Sequence, residues 1–162
     1  MNFVIIGAGP AGVRAAETLR ENDSLATVTL VGAEPGEPYA RMAIPYILSG
    51  AIDDGGARQR RSLDHLQALG IRYLHGKALK VQARPNGGQV ELADGTQLPY
   101  DRLLVATGSS PSLPPIPGTG LPGVVTCWTL EDAHQIAAKL TPGARVVMLG
   151  AGFVAGVCMK SL

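Results

Sequence analysis

Residues 2–12 read NFVIIGAGPAG, and this stretch decides the fold. The apolar run Phe3 to Ile6 has the length and the β-branched content of a buried strand. Residues 10–19 have the apolar periodicity of a helix. Around the junction, glycines stand in G-x-G-x-x-G spacing, at Gly7, Gly9 and Gly12. A strand, a glycine turn and a helix N-terminus in this order predict a dinucleotide site.

The turn contains the residues that a bound pyrophosphate requires. Gly7 permits the tight turn, Gly9 lets the phosphates approach the backbone, and Gly12 lets the helix pack close to the strand. The helix dipole and the free N–H groups of the first helical turn then face the anion. The alternative hypothesis is a glycine turn that binds no ligand, because glycine-rich turns are common.

A second strand, residues 26–31, follows the helix and ends near Glu34. An acidic residue about 20 positions beyond the glycine turn is placed to accept both hydroxyls of a ribose. A carboxylate would also repel a 2′-phosphate at this position. The sequence therefore favours a nucleotide with a free ribose diol at the first site.

Composition and charge exclude several classes of partner. The 162 residues carry a formal net charge of +1, so nothing indicates binding to nucleic acid or to an anionic membrane surface. No apolar run approaches the roughly 20 residues of a membrane span. The basic cluster Arg58, Arg60 and Arg61 contains no interleaved aromatic residue, and we interpret it as a solvated face.

The cysteines and histidines show no catalytic or metal-ligand spacing. Cys127 and Cys158 are far apart in the sequence and outside any C-x-x-C motif. We interpret them as buried free thiols in a reducing cytoplasm, with a structural disulfide as the less favoured alternative. The histidines are scattered, at His65, His75 and His134, so no metal site is expected.

The segment after the second strand, residues 32–56, is rich in Pro and Gly and has no clean period. We expect a functional loop with a short helical piece at residues 44–48. Arg41 lies in this loop. Spacing alone leaves it either a surface cation or a forked donor to a pyrophosphate.

An antiparallel flap is predicted next, from short runs at residues 79–81, 89–93 and 96–100 with a hairpin turn at Asp94-Gly95. Residues 102–106 then contain a continuous apolar run, which predicts a central strand buried on both faces. Five prolines between residues 109 and 123 predict a stiff linker.

The last part of the chain repeats the opening pattern. Residues 124–128 and 145–149 are predicted to be strands, and Thr129 with Asp132 predicts a capping box at the start of a helix. A second glycine turn, Gly150-Ala151-Gly152, follows with Ala155 in the third small position. This predicts a second dinucleotide site.

Together these pieces resemble the FAD-dependent pyridine nucleotide-disulfide oxidoreductase superfamily. Residues 100–109, YDRLLVATGS, are similar to the superfamily's YDxLLxATGSxP element, which is more specific than either glycine turn. PYAR at residues 38–41 and LEDA at residues 130–133 match as well. The resemblance implies an α/β, Rossmann-like three-layer FAD/NAD(P)-binding fold with a small antiparallel flap, followed by the start of a second Rossmann-like domain.

The resemblance also implies domains, cofactors and site residues. The FAD-binding domain would span residues 1–112, and a linker with the first part of an NAD(P)H-binding domain would span residues 113–162. The FAD pyrophosphate would be held by Gly7, Gly9, Pro10, Ala11 and Gly12. The remaining FAD contacts would be Glu34 on the adenosine ribose, Arg41 near the pyrophosphate or ribose, the Leu79 backbone on adenine, and Ala106, Thr107 and Gly108 along the cofactor. The NAD(P)H site would begin at Gly150, Gly152, Phe153 and Val154.

The chain departs from the superfamily's pattern in three ways. Relatives with a redox cysteine carry it just before a small-Leu-Pro-Tyr segment, where this chain has Met42, which forms no thiolate. The resemblance is therefore to ferredoxin-type reductases and to the flavin part of assimilatory nitrite reductases. Val157 stands where relatives often have Glu, and the superfamily continues well past Leu162, so an N-terminal fragment is expected.

Three functions compete. The favoured hypothesis is a cytoplasmic enzyme that moves electrons from NAD(P)H through FAD to a protein or small-molecule acceptor, without a redox-active cysteine or a catalytic side chain in this chain. The others are a non-catalytic nucleotide-binding fragment and a dehydrogenase that uses only the first site. The acceptor, the choice between NADH and NADPH, and the oligomeric state stay open.

The 162-residue chain by itself is expected to retain little or no FAD and to oxidise no NAD(P)H. Its FAD unit would lack the superfamily's returning segment, and the apolar residues 145–149 would lack strand partners and promote aggregation. Steady NAD(P)H-dependent reduction of ferricyanide by the purified chain would contradict this expectation.

Overall fold

The computed structural model describes residues 1–60 and 64–161. These residues divide into two compact units, the first comprising Met1–Tyr39 and Arg58–Gly108, the second Ala40–Ala57 and the residues from Ser109 onward. The elements, in chain order, are β1 Asn2–Ile6, α1 Pro10–Asn22, β2 Thr27–Gly32, α2 Ile44–Leu48, α3 His65–Ala68, β3 Ile71–His75, β4 Ala78–Arg84, β5 Gly87–Leu92, β6 Gln97–Tyr100, β7 Arg102–Val105, α4 Leu130–Lys139 and α5 Phe153–Met159. The predicted domain boundary at residues 112 and 113 stays a prediction.

A four-stranded parallel sheet in the order β3-β2-β1-β7 forms the centre of the first unit. β1 lies between β2 and β7, so that Ile5 is in register with Leu30 on one side and Leu104 on the other. Helix α1 provides the crossover from β1 to its parallel neighbour β2, which is the connection that parallel strands require.

Alternate residues of β1 face two separate cores. Ile5 is fully buried against α1, in a cluster that includes Val13 and Leu30. Val4 and Ile6 face the opposite way and pack with apolar side chains of β5 and β6, among them Val90, Leu98 and Tyr100. The first unit is therefore a three-layer arrangement of helix, parallel sheet and antiparallel sheet, which confirms the predicted fold class.

The antiparallel flap forms as predicted, with strand order β4-β5-β6. Gly95 in its hairpin has φ of +86°, a conformation that glycine adopts without strain. Asp94 Oδ1 accepts a hydrogen bond from the Thr96 backbone nitrogen at 2.9 Å. Local turn chemistry thus accounts for this hairpin.

The prediction that residues 102–106 are buried on both faces is wrong. β7 pairs with β1 but with no other strand among the described residues, so it is the edge of the sheet. Leu104 is 41% exposed and Val105 is 60% exposed. A continuous apolar run indicates a strand, but its burial depends on neighbours that the run itself does not report.

The second unit contains α2, α4 and α5. The capping box of α4 is confirmed, because the Thr129 side chain accepts from the Asp132 backbone and Asp132 accepts from Thr129 in return. The strands predicted at residues 124–128 and 145–149 do not form, and Val147 is 94% exposed. The described residues of this unit include no strand with which either segment could pair.

A buried carboxylate on α1 joins this helix to the chain beyond residue 57. The Glu17 side chain is 5% exposed. Its Oε1 and Oε2 accept from Arg60 Nε and Nη2, each at 2.6 Å, and His65 Nε2 lies 2.8 Å from Oε1. The Arg60 hydrogen bonds outweigh the cost of burial and lower the pKa of Glu17 from 4.5 to about 2.

The interpretation of the basic cluster as a solvated face is therefore wrong for Arg60, which binds a buried anion. Arg58 also has a partner, since its Nε lies 2.8 Å from Glu37 Oε2. Arg61, Ser62 and Leu63 lie outside the described residues. A charge run in a sequence does not reveal which of its members will meet a distant carboxylate.

None of the helices in the part of the chain that the structure describes is long and apolar enough to cross a bilayer.

The Glu17 cluster predicts a specific loss of stability in acid. Because the pKa of Glu17 is lower in the folded chain than its ordinary 4.5, its stabilising contribution is complete above that value and is lost as pH falls towards 2. We expect Glu17→Gln to lower the free energy of unfolding by roughly 3 kcal/mol at pH 7, with the difference from wild type shrinking between about pH 5 and pH 2.

Urea unfolding at a series of pH values measures this difference. Glu21→Gln is the matched control, because Glu21 lies on the same helix but is exposed and pairs with Arg14. A difference for Glu17→Gln that stays constant from pH 7 to the acid limit of folding would contradict the assignment.

Candidate nucleotide-binding site

The glycine turn lies at the carboxyl ends of three strands of the parallel sheet. The Gly7 nitrogen donates to the Val31 oxygen at 2.8 Å, and the Ala106 nitrogen donates to the Ile6 oxygen at 2.7 Å. Gly7 has φ of +109°, and a Cβ there would lie 2.2 Å from the Ala106 oxygen. Only glycine fits this conformation in this space.

Gly12 and Gly9 serve different purposes in the same turn. A Cβ at Gly12 would lie 1.8 Å from the Gly7 oxygen, so the absence of a side chain lets α1 begin directly on the turn. At Gly9 a Cβ would meet no described atom within 4 Å. Gly9 therefore faces open space, which is the room that a ligand needs to approach the backbone.

The start of α1 provides donors toward an anion. The N–H groups of Ala11 and Gly12 have no intrahelical acceptor because they belong to the first turn. Pro10 and Ala11 are exposed, and no acidic residue lies in this turn. Free donors, a helix dipole and an open approach are the features that a pyrophosphate requires, and its contacts with these residues stay a prediction.

Glu34 follows β2, which is the parallel neighbour of β1, the strand that leads into the glycine turn. Its side chain is half-buried, and its Oε2 accepts a hydrogen bond from the Tyr39 hydroxyl. The Tyr73 hydroxyl donates to the Gly36 oxygen at 3.2 Å. Burial, reinforced by the nearby Glu34 and Glu37 charges, raises the pKa of Tyr73, so this hydroxyl stays a donor at neutral pH. Two tyrosines thus hold the segment that carries the acidic residue.

Gln59 joins the glycine turn to this acidic segment. Its Nε2 donates to the Ala8 oxygen and to the Tyr39 oxygen, each at 3.1 Å. Gln59 and the Tyr39 hydroxyl were not predicted from the sequence. Gln59 acts across 51 and 20 residues, which no local spacing rule reports, whereas the Tyr39 hydroxyl reaches a residue only five positions away.

The first unit contains three further residues predicted to contact FAD, namely Thr107, Gly108 and Leu79. Thr107 and Gly108 directly follow Ala106 and are exposed. Leu79 lies in β4 with an exposed side chain, shortly beyond Gly76, whose nitrogen donates to the Gly32 oxygen at 2.8 Å. Their contacts with a cofactor stay predictions.

Arg41 belongs to the second unit, where it is anchored to Trp128. Its Nη1 donates to the Trp128 oxygen at 2.6 Å, and the guanidinium carbon lies 5.3 Å from the indole centroid. Trp128 Nε1 in turn donates to the Ser109 oxygen at 3.0 Å. These contacts fix the position of Arg41 in its unit, a role that neither sequence hypothesis included.

The second glycine turn repeats the backbone conformation of the first. Gly150 has φ of +110°, against +109° at Gly7. Gly152 precedes α5 with φ of −76° and ψ of −179°, against −72° and 179° at Gly9. Phe153 and Val154 follow it and are exposed. The part of the chain that the structure describes contains no cluster of His, Cys, Asp or Glu suited to a metal ion.

Comparison with known proteins finds one family over nearly the whole chain. Residues 1–159 match the family described as pyridine nucleotide-disulphide oxidoreductase. Rhodocoxin reductase of Rhodococcus erythropolis is 36% identical over 154 residues, which cover 95% of this chain and 36% of that protein. The ferredoxin–NAD(+) reductase component of the anthranilate 1,2-dioxygenase system of Burkholderia cepacia is 37% identical over 155 residues, with 94% and 37% covered.

A solved structure agrees with these matches. The putidaredoxin reductase–putidaredoxin complex contains a chain that is 30% identical, with a TM-score of 0.84 and coverage of 99% of this chain and 40% of that one. This chain thus spans well under half the length of the relatives that it matches.

Exchange of single glycines distinguishes the packing role from the ligand role. Gly12→Ala forces a methyl group into the Gly7 carbonyl, and we expect it to lower the free energy of unfolding by about 3 kcal/mol or more. Gly9→Ala is the matched control and should cost less than about 1 kcal/mol, because its backbone is extended and the space is open. Urea unfolding of both variants measures the two losses, and equal losses would contradict this division of roles.

Proposed function

This chain belongs to the pyridine nucleotide-disulphide oxidoreductase family, and on that premise we propose that it forms the FAD-binding part and the first NAD(P)H-binding segment of a flavin-dependent oxidoreductase. Electrons would pass from NAD(P)H through FAD to a protein or small-molecule acceptor. The observation that carries the proposal is the first glycine turn, where Gly9 faces open space and the first turn of α1 has N–H groups without an intrahelical acceptor. The match over residues 1–159 includes both glycine turns, which disfavours a single-site dehydrogenase.

The chain's own residues would bind and orient the flavin nucleotide. The backbone from Gly7 to Gly12 would receive the pyrophosphate, with the dipole of α1 directed at it. Glu34 would accept the ribose hydroxyls, held in place by the Tyr39 hydroxyl. When bound, FAD accepts a hydride and passes electrons onward, which is chemistry that no side chain supplies. Exclusion of a 2′-phosphate by Glu34 favours FAD over NADP at this site.

No thiol takes part in this proposed transfer. By the resemblance to the superfamily, Met42 would stand where other relatives carry a redox cysteine, and it has no thiol to oxidise. The Burkholderia cepacia relative, named as a ferredoxin–NAD(+) reductase component, supports a ferredoxin-type electron-transfer protein as the acceptor. We also propose a cytoplasmic location, supported by two cysteines that are both free thiols.

The second glycine turn would begin the NAD(P)H site. Its backbone repeats the conformation of the first turn, which supports a second nucleotide pyrophosphate at Gly150 and Gly152. We keep the proposed division at residues 112 and 113, with the proline-rich segment as the linker. Arg41 is proposed to approach the FAD while its Trp128 contacts hold it in position.

A chimera tests this function, because the relatives are longer than this chain. Residues 1–162 replace the matching segment of rhodocoxin reductase, and the purified chimera is examined for bound flavin and for bleaching of that flavin by NADH or NADPH. Glu34→Ala in the chimera should weaken FAD binding roughly 10- to 100-fold, since hydrogen bonds to a charged acceptor are lost.

The control variant is Glu21→Ala, which removes a carboxylate from the same unit at the far end of α1 and should leave flavin content unchanged. Flavin retention by the Glu34→Ala chimera equal to that of the parent would contradict the ribose assignment. A chimera that binds FAD and is not reduced by either pyridine nucleotide would contradict the proposed electron donor.

A further inference from the structure

The second unit brings two cysteines together that the sequence separates. Cys127 precedes α4 and Cys158 lies in α5, yet their Sγ atoms are 3.6 Å apart, which is hydrogen-bonding distance for sulfur. Cys158 is 5% exposed and Cys127 is half-buried. Both thiols are free, as expected from the sequence, but only Cys158 is buried, and the expectation did not include their contact.

We propose that Cys127 and Cys158 are a redox-convertible dithiol, which a hydroperoxide oxidises to an intramolecular disulfide. The peroxide oxygen is transferred to one sulfur, giving a sulfenic acid and an alcohol or water. The second thiol then attacks that sulfur, the S–S bond forms, and water leaves. The two thiols together lose two electrons and two protons. The hydroperoxide takes up the electrons and is reduced as its O–O bond breaks.

The geometry favours this product over the others that a cysteine can form. The sulfurs lie 3.6 Å apart, so the disulfide length of about 2.05 Å requires a closure of only roughly 1.5 Å. A second thiol already in contact captures a sulfenic acid before further oxidation. Burial shields Cys158 from bulky reagents, whereas the half-buried Cys127 is the sulfur that a small peroxide can reach.

The surroundings of the cysteine pair also determine how reactive its thiols are. Burial, the Cys158 hydrogen bond and the nearby charges of Cys158 and Asp132 raise the pKa of the Cys127 thiol to about 12. A group that is almost wholly protonated at neutral pH is a poor nucleophile, so the pair does not replace the missing redox cysteine at Met42. Oxidation is therefore slow, and it occurs with a strong two-electron oxidant.

The bond would close a loop that contains the second glycine turn. Cys127 and Cys158 are 31 residues apart, and Gly150 and Gly152 lie between them. A disulfide would tie the segment before α4 to α5 and restrict the unfolded chain. The oxidised form is accordingly expected to resist unfolding better than the reduced form.

The experiment treats the purified chain with hydrogen peroxide under native conditions. The number of free thiols, measured after denaturation, should fall from two to none, and dithiothreitol should restore both. Trypsin should release peptides 103–139 and 146–160 as one disulfide-linked species that separates on reduction. The midpoint of urea unfolding should be higher for the oxidised chain than for the reduced chain.

Cys127→Ser and Cys158→Ser are the matched controls, because each leaves one thiol in a nearly unchanged environment. Peroxide should convert the remaining thiol to a sulfenic acid that dimedone traps, or to sulfinic acid, and should leave the urea midpoint without the increase. The proposal is overturned if wild-type chain yields sulfinic acids or disulfide-linked dimers in place of the 103–139 to 146–160 link, or if that link lowers the urea midpoint.

Discussion

The contact between the α-carbon of Gly12 and the carbonyl oxygen of Gly7 is the constraint on which the first unit depends. No side chain fits there, since a Cβ would lie 1.8 Å from that oxygen. The close approach lets α1 begin on the turn itself, so its free N–H groups point to the space beside Gly9. It also places α1 against the β-sheet core that contains Ile5 and Leu30. The core and the candidate site therefore share a single steric requirement.

Features that a few adjacent residues encode were predicted correctly from the sequence. The capping box at Thr129, the hairpin at Asp94-Gly95 and the short helix at residues 44–48 all form where local chemistry places them. Burial was less predictable. The apolar runs at residues 102–106 and 145–149 have similar composition, yet the first is an edge strand and the second is exposed chain without strand pairing. Whether an apolar run is buried depends on the elements that pack beside it.

The polar contacts that hold the candidate site could not be predicted, because they join residues that are distant in sequence. Gln59 connects two carbonyl oxygens in different segments, and Arg60 reaches the buried Glu17 on α1. Neither belongs to a motif. Glycine spacing indicates which residues would meet a nucleotide, whereas the supporting residues become visible only when the chain is folded. Here those supporting residues come largely from the short stretch after residue 57.

The two apolar faces of β1 have a consequence for the alignment of the sheet. Where one face of a strand is polar, a shift by one residue exposes apolar side chains and is penalised at once. β1 has no such safeguard, because both of its faces lie in apolar cores. Its register must be fixed at its ends, by Gly7 bonded to Val31 at one end and by Asn2, whose backbone nitrogen donates to Asp101 Oδ2 at 2.7 Å, at the other. A single-residue deletion within β1 would therefore displace the backbone hydrogen bonds that pair it with both neighbouring strands.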